Sequence, residues 1–438
     1  MCLFVRLLLC LSICFCLASP AYALVDESMF QSLVQSVQEL QKTVQSLQTT
    51  VISQSEVMKE QAMKIEILEQ SKEIPSPQTG VTPLPSGVPK VAGLQGFNPD
   101  IGVTGTVQTK LTQATADEEG NDTIALKELE LNFAQVVDPY SRMDAIISFN
   151  DELEDQNVNI EEGYYTRWGL PFGFTGQIGK FRSKIGKENL MHLHQLDTTD
   201  YPIVIRDFFG EEGLASSGAR LQNMIPNPWD VPVEITGEIL RGNNGASFSG
   251  VSRRPIFNTH VKTYFDVTKD SNLELGWTTL FGDENIPVDD GTGTGTTIML
   301  PEGQDRYGVK VFGGDATFNV FLPEGRKLKW QNELYFQNRS NLVHINDDPW
   351  GFYSLVDLKF SQRFSAGVRF DYVEPLDVIG NHERTTGVSP YITFWQSEFA
   401  DFKLQYSHLN PAGDDSKPDN QVMLQADFLI GAHKHPVQ

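Results

Sequence analysis

Leu129-Glu130-Leu131-Asn132-Phe133 alternates apolar and polar side chains with a period of two, and the same alternation recurs from Ile101 to the end of the chain. A β-strand with this period presents one face to an apolar environment and the other to a polar one. A soluble β-sandwich shows the same alternation. Here, however, the gaps between segments alternate between tight turns and long polar loops, as in bacterial transmembrane barrels. The sequence therefore predicts an all-β transmembrane barrel.

The segments number sixteen and predict antiparallel strands. Strands that lead to long loops begin near Ile101, Arg142, Gly173, Val231, Asn272, Lys327, Ser365 and Ala400. The long gaps are 117–123, 152–157, 185–212, 244–254, 283–304, 340–349, 375–384 and 410–419. The opposite returns are tight and carry turn-forming residues, as in Asp138-Pro139-Tyr140-Ser141. A barrel of about sixteen strands has a water-filled lumen rather than a packed interior.

Residues 1–23 have the features of a secretory signal peptide. Arg6 precedes an apolar run over 7–17, and Ala21-Tyr22-Ala23 has the small-x-small pattern of a signal-peptidase site. The large apolar residues before the last two cysteines disfavour a lipoprotein. All four cysteines lie in this segment: Cys2, Cys10, Cys14 and Cys16. We therefore expect an exported protein without a disulfide or a thiolate ligand.

Residues 24–70 carry a heptad pattern that predicts an α-helical coiled coil in the periplasm. Apolar residues occupy most a and d positions: Phe30, Leu33, Val37, Leu40, Val44, Leu47, Val51, Met58, Ile65 and Leu68. Leu33, Val37, Leu40, Val44, Leu47 and Val51 are the predicted oligomerisation residues. Valine at a with leucine at d nominally favours a dimer. A single amphipathic helix folded against the barrel or a membrane is the alternative. The Pro-rich stretch 71–99 predicts an extended linker, and 100–438 the barrel.

The composition excludes several classes of protein. The net charge is −23, apolar residues make up 40% of the chain, and no apolar run beyond residue 23 approaches the ~20 residues of a membrane-spanning helix. Acidic residues cluster in predicted loops such as 117–119 and 151–155, which indicates a solvated loop surface or, alternatively, a rim that concentrates cations. The sequence has no basic stripe, so nucleic acid is not a predicted partner.

The alternation predicts which barrel residues face the lumen. Placing the apolar positions toward lipid turns the following residues inward: Glu128, Glu130, Arg142, Asp144, Lys262, Asp266, Lys329, Glu333, Arg369 and Asp371. Both signs of charge occur in similar numbers. A mixed lining of this kind favours a modestly selective pore, with partial charge neutralisation, over a ladder of basic residues that binds phosphate.

The densest basic cluster, 180–187, lies where the fifth strand meets the longest loop, 185–212. The strand cannot keep a single register, so we predict a bulge near Gly179 that turns Phe181 and Ile185 toward lipid and the basic residues inward. If the loop folds into the lumen, it places four basic residues at a constriction: Lys180, Arg182, Lys184 and Arg206. The alternative is that they meet lipopolysaccharide phosphate or loop acids at the rim.

The same loop contains His192-Leu193-His194, with Asp197 nearby. Imidazole and carboxylate together suit zinc, and histidines two residues apart on extended chain share a side. Hydrogen-bonded loop histidines are the default interpretation of so short a motif. The sequence shows no Ser-His-Asp or paired-carboxylate constellation, so neither an enzyme nor a cofactor is predicted.

Several short runs carry a family resemblance. They are Gly96-Phe97-Asn98-Pro99-Asp100-Ile101, Val137-Asp138-Pro139-Tyr140, Gly169-Leu170-Pro171, Gly179–Lys184, His192–Gln195, Asp200-Tyr201-Pro202 and Gly210-Glu211-Glu212-Gly213. Over roughly 96–245 the chain resembles an uncharacterised family of bacterial outer-membrane porin-like proteins, some labelled zinc-regulated outer-membrane receptors. It is more distantly similar to phosphate-selective porins, which are trimeric sixteen-stranded barrels, and to porins with an N-terminal coiled coil. The resemblance implies trimerisation and solute diffusion.

Together these features predict a homotrimeric channel in the bacterial outer membrane for passive diffusion of small hydrophilic solutes. Its barrel contacts lipid and lipopolysaccharide, and its coiled coil holds the trimer or contacts peptidoglycan. Two alternatives stay open. One is a substrate-specific uptake channel, for a metal chelate or a phosphorylated or sugar-like solute, gated by loop 185–212. The other is a structural tether that acts through the coiled coil.

Overall fold

The computed structural model describes the barrel region of the chain. The described residues are 99–113, 121–150, 158–228, 231–244, 246–249, 251, 253–284, 288–289, 297–298, 307–339, 348–376, 384–412 and 417–431. The predicted signal peptide (1–23), the predicted coiled coil (24–70) and all but the last residue of the predicted linker (71–99) lie outside these ranges.

Sixteen antiparallel strands form a closed barrel in which each strand pairs with its neighbours in the chain and the last pairs with the first. The strands are β1 (Asp100–Thr112), β2 (Thr123–Asp138), β3 (Ser141–Phe149), β4 (Val158–Arg167), β5 (Thr175–Arg182), β6 (Ala215–Ile225), β7 (Val233–Leu240), β8 (Ile256–Thr268), β9 (Ser271–Glu284), β12 (Tyr307–Leu322), β13 (Arg326–Arg339), β14 (Trp350–Lys359), β15 (Phe364–Val373), β16 (Thr385–Ser397), β17 (Ala400–Asn410) and β18 (Asp419–Gly431). Two short strands, β10 (Val288–Asp289) and β11 (Thr297–Ile298), pair only with each other. The closed antiparallel barrel of sixteen strands is thus confirmed.

The two ends of the barrel differ as the sequence predicts. Tight turns such as 139–140, 269–270 and 398–399 join strands at one end, and longer connections join them at the other. The predicted strand starts agree with the observed ones to within two residues. The agreement follows from the turn chemistry, because Pro, Gly, Asn and Asp mark the returns whereas the strand interiors keep their period of two.

Strand β13 shows how the wall divides its side chains. Trp330 and Phe336 are about half exposed on the outer face, while Lys329, Gln331 and Glu333 are buried on the inner face. A single antiparallel sheet closed on itself has only these two faces, so the alternation gives an apolar exterior and a polar interior.

Aromatic side chains contact one another on the outer face near both ends of the barrel. Trp350 and Tyr372 lie 4.6 Å apart, centroid to centroid, near the end with long connections. Phe364 and Phe394 lie 4.9 Å apart near the end with tight turns. Aromatic girdles at both interfaces are typical of outer-membrane barrels. Within the described ranges, none of the helices combines the length and apolar character needed to cross a membrane.

The connection between β5 and β6, residues 183–214, folds into the lumen and is called the inner loop below. It contains two short 3-10 turns, Glu188–Leu190 and Leu193–Gln195, and one helix, α1 (Ile203–Phe209). Its backbone and side chains contact inward-facing residues of strands on opposite sides of the barrel, among them Glu130 on β2, Glu333 on β13 and Gln405 on β17. The inner loop therefore crosses the lumen.

An apolar core lies inside the barrel between the inner loop and the wall. From the inner loop, Ile185, Ile205, Phe208, Phe209 and Leu214 are almost fully buried. The wall contributes inward-facing apolar residues near the long-connection end: Leu240, Ile256, Leu280, Val311 and Leu355. These wall positions are apolar although they face the lumen, because the inner loop covers them.

The prediction that Phe181 and Ile185 face lipid is wrong. They are 1% and 0% exposed and belong to the core inside the barrel. Gly179 does have a positive φ of 138°, but β5 pairs with β4 and β6 without a shift of register, so no bulge turns the strand. Phe181 is instead buried by the inner loop that follows it, and Ile185 is itself part of that loop.

Candidate functional site: the lumen and the inner loop

The carboxylate of Glu333 on β13 is one anchor of the inner loop. Its Oε1 accepts hydrogen bonds from the backbone N–H groups of Lys187 (2.9 Å) and Glu188 (2.8 Å). The hydroxyls of Tyr353 (2.8 Å) and Tyr335 (2.6 Å) also donate to this carboxylate. Four donors on a side chain that is 1% exposed satisfy a buried negative charge.

Gly186 allows this approach. Its φ is +56°, which lies in the left-handed region, and a Cβ at this position would clash with the Glu333 carboxylate and the Tyr335 hydroxyl. Only glycine meets both requirements without strain.

Arg369 and Asp371 on β15 form a second anchor. The guanidinium of Arg369 donates to Asp371 Oδ2 (2.7 Å), to the hydroxyl of Thr198 (2.7 Å), and to the backbone oxygen (2.7 Å) and Oδ1 (3.0 Å) of Asp200. Asp371 Oδ1 in turn accepts from the backbone N–H of Ile203, at the start of α1. Arg369 and Asp371 are 1% and 0% exposed and Asp200 is half-buried, and every charge in this group is paired.

Other predicted lumen residues are also paired. Arg142 lies 2.9 Å from Asp144, Lys262 pairs with Glu274, and Lys184 pairs with Glu234. Arg182 is 3% exposed, with its guanidinium over the ring of Tyr201 and 3.9 Å from Glu161. Arg206 on α1 keeps 29% of its side chain exposed, 3.6 Å from Asp200 and 4.0 Å from Glu211. In the described part of the barrel, these pairs bring both signs of charge together at several places in the lumen.

Two predicted lumen residues lie away from these pairs: Lys180 on the outer face of β5, and Asp266, which keeps the inward parity of Lys262, at the exposed end of β8. Lys180 has the same parity on β5 as Ile178, which is 66% exposed, and its Nζ donates to the backbone oxygen of Ile160. Its contact with Ile160 therefore places Lys180 on the outer side of the wall rather than at the predicted pore position, whereas Arg182, at the end of the same strand, is buried beside Tyr201 of the inner loop. Asp266 is exposed at the tight-turn end of β8, opposite Asn272.

His192 and His194 converge on the wall opposite the anchors. Their rings are near-parallel with centroids 6.0 Å apart. Nδ1 of His192 lies 3.1 Å and Nδ1 of His194 lies 3.6 Å from Oε1 of Glu130 on β2. Glu128, two residues earlier on the same strand face, offers a carboxylate oxygen within 4.8 Å of ligand atoms of Glu130 and His194. All four side chains are buried.

The predicted set of His192, His194 and Asp197 is not formed. Asp197 instead accepts a hydrogen bond from Lys329 on β13. Glu128 and Glu130 were predicted to face the lumen, yet their meeting with the histidines was missed. Two signals for this contact were available, namely the inward parity of Glu128 and Glu130 on β2 and the His-x-His motif. The sequence alone does not show the path by which the inner loop brings them together.

Burial changes the acidity of two carboxyl groups of the inner loop. Burial, followed by the nearby carboxylates of Asp197 and Glu333, raises the pKa of Glu188 to about 7. Burial also acts on Asp200, but Arg369 and Arg206 outweigh it and hold the pKa of that carboxyl below its usual range. The first group resists ionisation inside the barrel and the second is held ionised by its partners.

No family model matches the sequence. A protein of Aquifex aeolicus that carries only the description "uncharacterized protein" is 27% identical over 337 residues, which cover 70% of this chain and 69% of that protein.

Solved structures with a similar barrel come from outer-membrane proteins. The outer-membrane channel DcaP of Acinetobacter baumannii is 13% identical, with a TM-score of 0.53, and the match covers 76% of this chain and 96% of that one. OprB of Pseudomonas putida is 11% identical, with a TM-score of 0.51 and coverage of 76% and 94%. An anion-selective porin from Comamonas acidovorans is 9% identical, with a TM-score of 0.50 and coverage of 76% and 100%. These matches show that the barrel has the fold of outer-membrane porins and channels, and the narrower family resemblance stays a prediction.

Proposed function

We propose that the protein is a porin-like channel of the bacterial outer membrane through which small hydrophilic solutes diffuse passively. The observation that carries the proposal is a closed sixteen-stranded barrel with an apolar, aromatic-rich exterior and a polar interior. An exterior of this kind matches lipid, and a barrel of this size encloses a lumen wide enough for water and solutes. We assign no catalytic role to the residues of the lumen.

The paired charges of the lumen support modest ion selectivity. Ion pairs such as Arg142–Asp144 and Lys262–Glu274 cancel most of the charge that a permeating ion meets. Arg206 is the most exposed basic residue among the predicted constriction residues that lie inside the barrel. We therefore expect weak selectivity, with Arg206 as the residue whose replacement by glutamate shifts the reversal potential most.

A substrate-specific uptake channel is the second candidate. The observation that favours it is the path of the inner loop, which reaches strands on opposite sides of the lumen and is fixed there by buried hydrogen bonds. A segment that crosses the whole lumen divides the permeation path and selects what passes. A solute of this channel would bind beside the inner loop.

Conductance across a planar bilayer tests the function. A general porin gives single channels whose conductance rises with salt concentration and is insensitive to micromolar solutes. A substrate-specific channel is blocked by micromolar amounts of one solute from a panel of metal chelates, phosphorylated compounds and sugars. Refolded barrel that inserts into the bilayer without conducting would contradict both and support the structural tether.

We further propose that the protein is a homotrimer held by the coiled coil of residues 24–70, which extends into the periplasm. Replacing Leu40 and Leu47 by Asp puts charge into the apolar seam. We expect the mass in detergent to fall from trimer to monomer. The replacement of Ser46 and Ser53 by Asp, outside the a and d positions, is the matched control. A wild-type protein with the mass of a monomer contradicts the proposal.

A further inference from the structure

The wall at β2 and β4 is strongly acidic where the inner loop meets it. Five carboxyl groups lie in this part of the lumen: Glu128, Glu130, Glu161, Glu162 and Glu212. Arg182 is the permanent cation among them, and it lies 3.9 Å from Glu161. Ser148 also donates to Glu161, and the backbone N–H of Arg182 donates to Glu162. Glu130 lies closest to the two histidines, and Oε1 of Glu162 lies 3.9 Å from Nε2 of His192 on its other side.

Glu130 is the centre of this group. It is 1% exposed, and in the described part of the chain neither of its carboxylate oxygens accepts a hydrogen bond. Nδ1 of His192, 3.1 Å away, is likewise buried without a partner in hydrogen-bonding geometry. A buried carboxylate with imidazole nitrogens around it and no aligned donor is costly unless a cation completes the group.

We propose that Glu128, Glu130 and His194, whose ligand atoms lie within 4.8 Å of one another, together with His192 beside Glu130, form a binding site for a divalent transition-metal cation of the zinc type, which joins the inner loop to the wall. Two imidazoles and two carboxylates are a ligand set that zinc prefers. The site needs both partners, since the inner loop supplies the nitrogen ligands and β2 supplies the oxygen ligands. A cation placed there neutralises the excess of carboxylates and fixes the inner loop to β2.

Calorimetry tests the site without reference to channel activity. Zn²⁺ alone is titrated into refolded full-length protein that has been dialysed against a chelator. We expect one strong site per chain. Changing both His192 and His194 to Ala should weaken binding by more than about 100-fold, because even the loss of outer-shell partners of a metal site costs about 10–100-fold. Glu130→Gln should weaken it similarly.

Two control variants separate this site from its rivals. His408→Ala removes an exposed histidine bonded to Asn420 on the wall and should leave binding unchanged. Asp197→Asn alters the carboxylate that the sequence placed beside the histidines, and it should also leave Zn²⁺ binding unchanged, because Asp197 contacts Lys329. A loss of binding in Asp197→Asn, with binding retained in Glu130→Gln, would overturn the assigned ligands.

The spectrum of Co²⁺ in the same site supplies a second measurement. We expect d–d bands of a four- or five-coordinate site with nitrogen and oxygen ligands that disappear in the double histidine variant. If Glu130→Gln does not refold, Glu128→Gln and the double histidine variant provide the same comparison. Absence of stoichiometric Zn²⁺ binding in the wild type would overturn the proposal.

Discussion

The inner loop is held on two sides of the barrel in different ways. On the side of β13 and β15, Glu333 receives four hydrogen bonds, and the guanidinium of Arg369 makes four more. On the side of β2, Glu130 faces two histidines and neither of its oxygens accepts an aligned hydrogen bond from the described residues. The first side is a complete hydrogen-bonded anchor, and the second has a group that a bound cation would complete.

The difference shows which contacts fix the inner loop permanently and which contacts contribute less to its position in the absence of a bound cation. Removing one partner of a buried and fully paired charge strongly lowers the free energy of unfolding. Neutralising a buried carboxylate that already lacks aligned donors lowers it much less. The two sides should therefore respond very differently to single substitutions.

The largest expected effect is at Arg369. Arg369→Ala leaves Asp371 and Asp200 buried without their main cation, and breaking a buried pair in this way costs about 3–5 kcal/mol. The free energy of unfolding, from reversible urea titration in lipid vesicles, gives the value. Arg326→Ala, at the start of β13 with its guanidinium 4.0 Å from the Glu324 carboxylate and 41% of its side chain exposed, is the control and should change stability by less than about 0.5 kcal/mol. If both substitutions lowered the free energy of unfolding equally, Arg369 would contribute no more to stability than a surface arginine, which would contradict its role as an anchor.

A smaller effect is expected at Glu188, a buried carboxyl group on the anchored side whose ionisation destabilises the folded protein. Its pKa is raised to about 7 by burial and by neighbouring Asp197 and Glu333. As pH rises from about 4.5, this carboxyl ionises first in the unfolded chain, so ionisation favours unfolding up to about pH 7. Glu188→Gln removes that loss and should stabilise the protein at pH 8 by at most about 3 kcal/mol, since one pKa unit corresponds to about 1.4 kcal/mol.

The same substitution should have little effect at pH 4, where Glu188 is protonated in both states. Urea titrations at the two pH values measure the difference between wild type and variant. A variant that is less stable than wild type at pH 8 would mean that the ionised carboxylate is well solvated or well paired in the folded protein.

The smallest effect is expected at Glu130. In metal-free protein, Glu130→Gln removes a buried charge without breaking an aligned hydrogen bond, so we expect a change of less than about 1 kcal/mol in the free energy of unfolding. Urea titration in the presence of a chelator checks it. A loss as large as that of Arg369→Ala would show that the β2 side is also a permanent anchor.

The strand order and the two faces of the wall follow directly from the sequence. Alternation on β13 places Lys329 and Glu333 inward and Trp330 outward because a strand has only two faces, and turn residues mark the ends. These signals are local, so a single sequence is enough to read them.

The path of the inner loop was not predicted, because it depends on contacts between residues far apart in the chain. Phe181 and Ile185 were assigned to lipid on the assumption that apolar barrel residues face outward. The assumption fails where the inner loop brings an apolar core into the lumen. The predicted position of Asp197 beside the histidines also failed because the inner loop carries Asp197 to Lys329, whereas His192 and His194 were singled out without their partner Glu130.

The most direct test of the account is the single-channel conductance of wild type beside a variant in which residues 187–211 are replaced by a short Gly-Ser link. A variant with residues 341–346 shortened, in a connection at the same end of the barrel, is the control. The account predicts that removing the inner loop raises conductance strongly, because the loop crosses the permeation path, and that the control conducts like wild type. Equal conductance of wild type and the inner-loop variant would contradict it.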